Sequence, residues 1–262
     1  PKGHENEFQQ FLQALEKTGL TRSVRVFWST CFETVNSICN WFDPKCATWK
    51  FQWDKWIEQI PLERTELPNT LVDPSDWPVK GDEIDILILK ELEKDATISF
   101  VDLGKKLGLS PQLVGYHFWN HLMKQGLIDS YDADVYHFDI SISDRFFFIF
   151  RFDNWENLAK FARSLLDKPF VRGLGKILEE NALFGYIYLP RLEFREFIDS
   201  LAKLIRRGLL QGYEYVIQHF GKASRQTISY EYFKDGAWIY DHQKHIENLH
   251  NLVKQTSPEI AE

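Results

Sequence analysis

Between Lys105 and Lys124 the chain sets polar and basic side chains at the spacing of a helix face, and their chemistry suits the reading of a nucleic acid. Gln112 and Asn120 carry amides that can pair with an adenine edge. Ser110 can hold a phosphate through its hydroxyl or through a helix N-terminus, and Lys105, Lys106 and Lys124 offer ammonium groups to phosphates. Gly115 and Tyr116 join them off an apolar stripe made by Val114, Phe118 and Leu122 at i, i+4 and i+8. His117 and His121 border that stripe, so the sequence leaves them between groove and core. A plain solvated face with one or two packed histidines fits the same residues.

Other residues that could do chemistry are weaker candidates. His242 and His245 stand at i, i+3 with His250 beyond, a spacing that can share a metal, but Glu247 points elsewhere and a solvated helix face is expected. Cys31, Cys39 and Cys46 follow no zinc spacing, although a link between Cys39 and Cys46 across Asp43-Pro44 is conceivable. A phosphate-binding glycine loop, G-x-S-x-G and H-E-x-x-H are all missing from the sequence. The expectation is a non-enzyme with no cofactor and no metal.

The elements that must position the polar face lie between Gly81 and Ile128. Ile84, Leu87, Ile88 and Leu92 form one helical stripe. Ser99 and Asp102 form an S-x-x-D capping box for a second helix, whose buried side carries Leu103 and Leu107. Gly108 permits a tight turn, and Ser110-Pro111 supplies the N-cap and first residue of a third helix. This succession is a helix-turn-helix, in which the third helix enters the major groove.

The sequence here resembles the Lrp/AsnC, or feast/famine, family of prokaryotic regulators. The resemblance rests on Asp82, Asp85, Ile88-Leu89, Leu92, Asp95-Ala96, Ile98-Ser99, Leu103, Leu107-Gly108-Leu109-Ser110, Val114 and Gly126-Leu127-Ile128. It implies a winged-helix or helix-turn-helix module that binds double-stranded DNA. Two departures stand out. One residue more than the family spacing lies between Ser110 and Gly126, and the basic residues usual after the matching valine are replaced by Gly115, Tyr116, His117, Trp119 and Asn120.

Downstream, Phe138–Phe152 reads as a strand, Asp153-x-x-Glu156 as a cap, and Leu158, Phe161, Ala162 and Leu165 as a helical stripe. Two strands, 170–178 and 183–189, precede a helix marked by Phe194, Phe197, Ile198, Leu201 and Leu204, stopped near Gly208 or Gly212. A strand over 213–220 completes β-α-β-β-α-β, the ferredoxin-like order. The fold class expected is therefore α+β. In the Lrp/AsnC family such a domain serves dimerisation and small-molecule sensing. The family's sensing turn here reads Glu179-Glu180-Asn181-Ala182, without its glycine, so amino-acid sensing is not carried over. The architecture also has enzymatic relatives, the siroheme decarboxylases. In that reading His137, His219 and Arg172 would surround a tetrapyrrole, though their spacing singles none of them out.

An internal repeat accounts for the start of the chain. Glu7-Phe8, Phe11-Leu12 and Leu15 align with Glu193-Phe194, Phe197-Ile198 and Leu201. Trp41-Phe42 aligns with Tyr232-Phe233, and Thr48-Trp49, Lys55, Ile57 and Glu58 with Ala237-Trp238, Lys244, Ile246 and Glu247. Residues 1–62 thus read as the second half of a ferredoxin-like domain, and a longer tandem protein of archaeal style, with one more helix-turn-helix and half a sensor domain at its start, is expected. Residues 63–80 read as a proline-rich linker, 81–131 as the DNA-binding domain, 132–240 as the ferredoxin-like domain with an extra hairpin turned by Lys234-Asp235-Gly236, and 241–262 as a C-terminal helix and tail.

Charge bounds the function. The chain of 262 residues carries a net charge of −7, which excludes a protein coated in positive potential and leaves room for a local basic face. From Lys80 to Asp129 six lysines face eight acids, a net of −2. Three cysteines and one methionine fit a reducing, cytoplasmic interior. The expectations are a DNA-binding transcription regulator acting as a homodimer or higher oligomer, possible ligand sensing, and a protein partner in transcription. The alternative is a protein-interaction module that kept the fold and lost DNA binding, with a siroheme-decarboxylase-like enzyme behind it.

Overall fold

The phenylalanine-rich run after residue 142 becomes the centre of an antiparallel sheet because both of its faces are apolar. In the computed structural model, which describes residues 4–29, 31–35, 38–73, 81–128, 131, 135–219 and 229–256, this strand is Ser143–Arg151. Its even positions Phe146, Phe148 and Phe150 are buried under helices, while Phe147 and Ile149 face the other way. In chain order the elements are α1 Glu5–Lys17, β1 Phe32–Thr34, β2 Phe42–Asp43, β3 Thr48–Trp49, α2 Trp53–Gln59, α3 Glu83–Lys94, α4 Phe100–Leu107 and α5 Pro111–Tyr116. A π-helical segment, His117–Met123, continues α5. Then come β4 Ser143–Arg151, α6 Trp155–Leu165, β5 Val171–Lys176, β6 Ala182–Pro190, α7 Arg191–Arg206, β7 Gly212–Gln218, β8 Phe233–Lys234, β9 Ala237–Trp238 and α8 His242–Thr256. No helix among the described residues is long and apolar enough to cross a membrane.

The chain divides into two compact units. One combines residues 27–77 with 132–224, the other residues 1–26, 78–131 and 225–262. In the first, β4-α6-β5-β6-α7-β7 gives the strand order β5-β6-β4-β7, which is the ferredoxin-like sheet. Full antiparallel ladders join β4 to β6 (Ser143 opposite Pro190 through Arg151 opposite Ala182) and β4 to β7. Helices α6 and α7 bury Leu158, Phe161, Leu165, Phe197, Leu201 and Leu204 on one face of it. The cap of α6 is Asn154, whose side chain accepts from the Asn157 N–H, one residue past the expected Asp153. Helix α7 stops at Gly208, which adopts φ +68°.

The early part of the chain is placed differently from its expected role as half a separate domain. Strand β1 adds to the edge of this sheet, Phe32 opposite Gly175 and Thr34 opposite Gly173. Trp41, Trp53 and Trp56 enter the same core as Phe170 and Phe197. Residues expected to form a stiff linker are packed instead: Leu67 and Leu71 are buried, and Arg163 donates to the carbonyls of Glu66 and Leu67. Two apolar anchors in the run were enough to fasten it. The later prolines of that run lie outside the described residues. Cys39 and Cys46 are free and exposed, so the conceivable link is not formed.

The repeat is visible in three dimensions as a reciprocal exchange. The series α1, β1, β2-β3, α2 matches α7, β7, β8-β9, α8 in order. Helix α2 of the first copy packs on α7 of the second in one unit, and α8 of the second copy packs on α1 of the first in the other. Equivalent rings meet in both places: Trp56 and Phe197 at 6.0 Å between centroids, His245 and Phe11 at 6.1 Å. The hairpin β8-β9, expected with the ferredoxin-like domain, and α8 therefore belong to the unit that holds the helix-turn-helix.

The β5–β6 turn holds Glu179 at φ +61°. This is the left-handed region, where a side chain costs roughly 1–2 kcal/mol and glycine costs mainly entropy. Glu179→Gly is expected to raise stability by about 0.5–1 kcal/mol, read by denaturant unfolding; a loss would show that the carboxylate is held by an interaction outweighing the strain.

Candidate nucleic-acid interface

The helix-turn-helix is assembled from its caps. Asp82 accepts from the Asp85 N–H at 3.0 Å and Asp85 accepts from the Asp82 N–H at 2.9 Å, a reciprocal box that starts α3. Ser99 accepts from the Asp102 N–H and starts α4; its hydroxyl donates to the Asp102 carboxylate, which that bond and then Lys105 hold below the usual carboxylate range. Ser110 accepts from the Leu113 N–H, with Pro111 at the first position of α5. Ile88, Leu92, Leu103, Val114, Phe118 and Leu122 form the core between these helices. The stripe read from sequence holds except at Leu87, which faces the β8 hairpin beside Ile86, Tyr230 and Phe233. That hairpin is fixed to α3 by Lys90, which lies 3.4 Å over the Tyr230 ring and 3.3 Å from Glu231.

The extra residue noted in the third helix has a structural counterpart. From His117 to Met123 the helix widens to a π turn, with the Lys124 N–H donating to the Trp119 carbonyl five residues back, and it closes past Gly126, where the Leu127 N–H donates to the Leu122 carbonyl. One added residue is what such a turn accommodates. The widening keeps Val114, Phe118 and Leu122 inward and presents Gln112, Tyr116, Trp119, Asn120 and Lys124 to solvent.

Most residues expected to touch DNA are exposed, and two are not available for it. His117 is buried, its Nδ1 2.8 Å from the Asp85 carboxylate, because that enclosed carboxylate needs donors. Gly115 faces α4, where a Cβ would sit 3.5 Å from the Phe100 ring. Ser110 is exposed, with its hydroxyl engaged in the cap. The Asn120 amide donates to the Tyr116 carbonyl at 3.1 Å. Lys105 pairs with Asp102 and Lys106 with Glu91, each at 3.3 Å. Such surface pairs are worth about 0–1 kcal/mol, so a phosphate can displace them. Sequence reading missed Trp119, together with the half-exposed Leu113 and Met123, because an apolar residue beside a buried stripe reads as core. These three make the outer face of the third helix more apolar than cationic.

The residues of the enzymatic reading are not brought together. Arg172, on β5, donates to the Val135 carbonyl and lies near His137, whose affinity for a proton is lowered by burial and then by Arg172. His219 follows β7, three strand spacings from β5, roughly 14 Å across the sheet. On α8, His245 stacks on Tyr240 at 4.9 Å.

Residues 82–116 match the model of the AsnC-type helix-turn-helix domain, a match that ends where the π turn begins. No curated protein matches the chain. Solved structures similar to it include E. coli AsnC (17% identity, 56% of this chain and 97% of that one, TM-score 0.41) and B. subtilis LrpC (22%, 56% and 99%, TM-score 0.43). A transcriptional regulator of Neisseria meningitidis in complex with L-Met is also similar (20%, 57% and 95%, TM-score 0.46). At these scores the likenesses carry no argument about ligand or partner.

Gly104 lies where α4 meets the start of α5, and a Cβ there would stand 2.7 Å from the Leu109 carbonyl oxygen. Gly104→Ala is expected to destabilise the helix-turn-helix by about 1–3 kcal/mol, seen as faster hydrogen exchange in α4 and α5; unchanged exchange would mean that the two helices can separate without loss. On this match, residues 82–116 form an AsnC-type helix-turn-helix domain.

Proposed function

We propose that this protein is a DNA-binding transcription regulator whose third helix enters the major groove and whose ferredoxin-like sheet joins two copies. The observation that carries the reading is the AsnC-type module with Gln112, Tyr116, Asn120 and Lys124 exposed along one side of that helix. Gln and Asn amides supply base-edge bonds, Tyr116 and Trp119 supply apolar contact to thymine methyls, and Lys105, Lys106 and Lys124 supply phosphate contacts. With so few cations the affinity is modest and its salt dependence shallow.

Association of two copies is supported by the sheet face opposite α6 and α7. Phe32 and Phe184 lie flat over Gly173 and Gly175, where any Cβ would come within 2.2 Å of a ring carbon. Phe147 and Tyr186 continue this aromatic pavement, and Phe32 and Val216 are about half exposed. A surface of this kind is an association site for a second copy. Phe32→Asp is expected to shift the protein to a smaller species in sedimentation; an unchanged assembly would place the contact elsewhere.

A second reading is favoured by one feature. Trp119, Tyr116, Leu113 and Met123 give the outer helix face an apolar character in a module of net charge −2. That suits a protein partner as well as a groove. Fluorescence anisotropy with duplex DNA, titrated with salt, separates the two. Tyr116→Ala with Asn120→Ala is expected to weaken binding at least about tenfold, since a good base contact is worth about 1–3 kcal/mol. Binding unaffected by the double change, or none at low salt, would transfer the helix to the protein-interaction reading.

A further inference from the structure

Beneath the outer face of the third helix, Asp82 and Asp85 from the start of α3 meet His117 and His121 from the π turn. One oxygen or nitrogen of each lies within 4.8 Å of the corresponding atom of every other. We propose that these four residues form a binding site for a divalent transition metal of the zinc class.

The donor geometry is close to what such an ion requires. His117 Nδ1 stands 2.8 Å from Asp85 Oδ1 and 3.7 Å from Asp82 Oδ1, and His121 Nδ1 stands 3.0 Å from Asp85 Oδ2 and 3.9 Å from Asp82 Oδ2. Zinc bonds of about 2.0–2.1 Å to nitrogen and oxygen in a tetrahedron imply ligand-to-ligand edges of about 3.3 Å. These four separations fall on both sides of that value, each within about 0.6 Å of it, so small side-chain adjustments would complete the shell. Both rings direct the same nitrogen, Nδ1, toward the carboxylates. Two imidazoles with two carboxylates suit zinc, cobalt or nickel, whereas calcium and magnesium prefer oxygen alone.

Burial and access point the same way. Asp85 has no solvent exposure and its carboxylate is crowded by both histidines, an arrangement in which a cation offsets the cost of burying charge. Asp82 is half exposed and His121 a quarter exposed, which leaves an entry from solvent. Asp82 can ligate without losing its capping role, because Oδ1 accepts the Asp85 N–H while Oδ2 is the oxygen nearer His121. The π turn is an independent indication. It sets the two rings 4.6 Å apart, and such turns recur at functional sites in helices. A bound ion would tie the first turn of α3 to the segment that presents Tyr116, Trp119 and Asn120.

The test is titration of the full chain with Co2+, read by the visible absorption of the four-coordinate ion, followed by displacement with Zn2+. One equivalent is expected to bind, and Asp82→Asn, which keeps an N-cap, and His121→Gln are each expected to weaken it at least about tenfold. His245→Gln, on α8, is expected to leave it unchanged. Circular dichroism of each variant confirms that the helices are retained, and the wild-type stoichiometry stands whether or not a variant folds. Absence of one-to-one binding, wild-type affinity in both site variants, or loss of binding in His245→Gln would overturn the proposal. The readout is metal rather than DNA, so it is independent of the function proposed above.

Discussion

Asp85 places a carboxylate with no solvent exposure in the first turn of α3, and the helix-turn-helix is arranged around satisfying it. An enclosed carboxylate without partners costs several kcal/mol, so its donors are fixed with it. One is the Asp82 N–H, which makes the carboxylate half of a capping box. The others are His117 and His121, which bring the π turn against the start of α3. With His117 drawn inward, Trp119 and Asn120 face out, and Tyr116 stays exposed beside the two histidine rings. The polar centre thus orients the surface that a partner would meet.

The other unit is organised by aromatic packing. Trp56, Phe161, Phe170, Phe197, Phe148 and Phe150 are fully buried, and their rings form one connected cluster. Trp56 joins the cluster to a hydrogen bond, its indole N–H donating to Ser164 at 3.1 Å, while the Trp53 indole reaches Glu193 at 2.8 Å. Helix α2 is short, only seven residues, and is held by these two indoles rather than by its own length. At the matching positions of α8 the repeat carries His242 and His245, and α8 compensates with twice the length. The two copies have therefore reached the same helix pairing with different chemistry.

Much of the fold was legible because it is written in local patterns. The caps at Ser99 and Ser110, the core stripe through Val114, Phe118 and Leu122, and the β-α-β-β-α-β order follow from hydroxyls before apolar periods and from apolar runs bounded by turns. The candidate interface was legible in part: Gln112, Tyr116, Asn120 and Lys124 were recognisable as off the stripe. His117 and Trp119 were not, since both border the stripe and only the π turn decides which one is buried.

By itself the sequence determined the AsnC-type module, the ferredoxin-like order and the repeat, because periodicity, caps and residue matches are properties of neighbouring positions. Tertiary structure alone decided which copy of the repeat each closing helix packs on, and that β1 completes the edge of the sheet beside β5. It also decided that Asp82 and Asp85 face His117 and His121 across 32 to 39 positions of chain. Pairings over such distances depend on which surfaces fit once the helices are formed, and no local pattern encodes that choice.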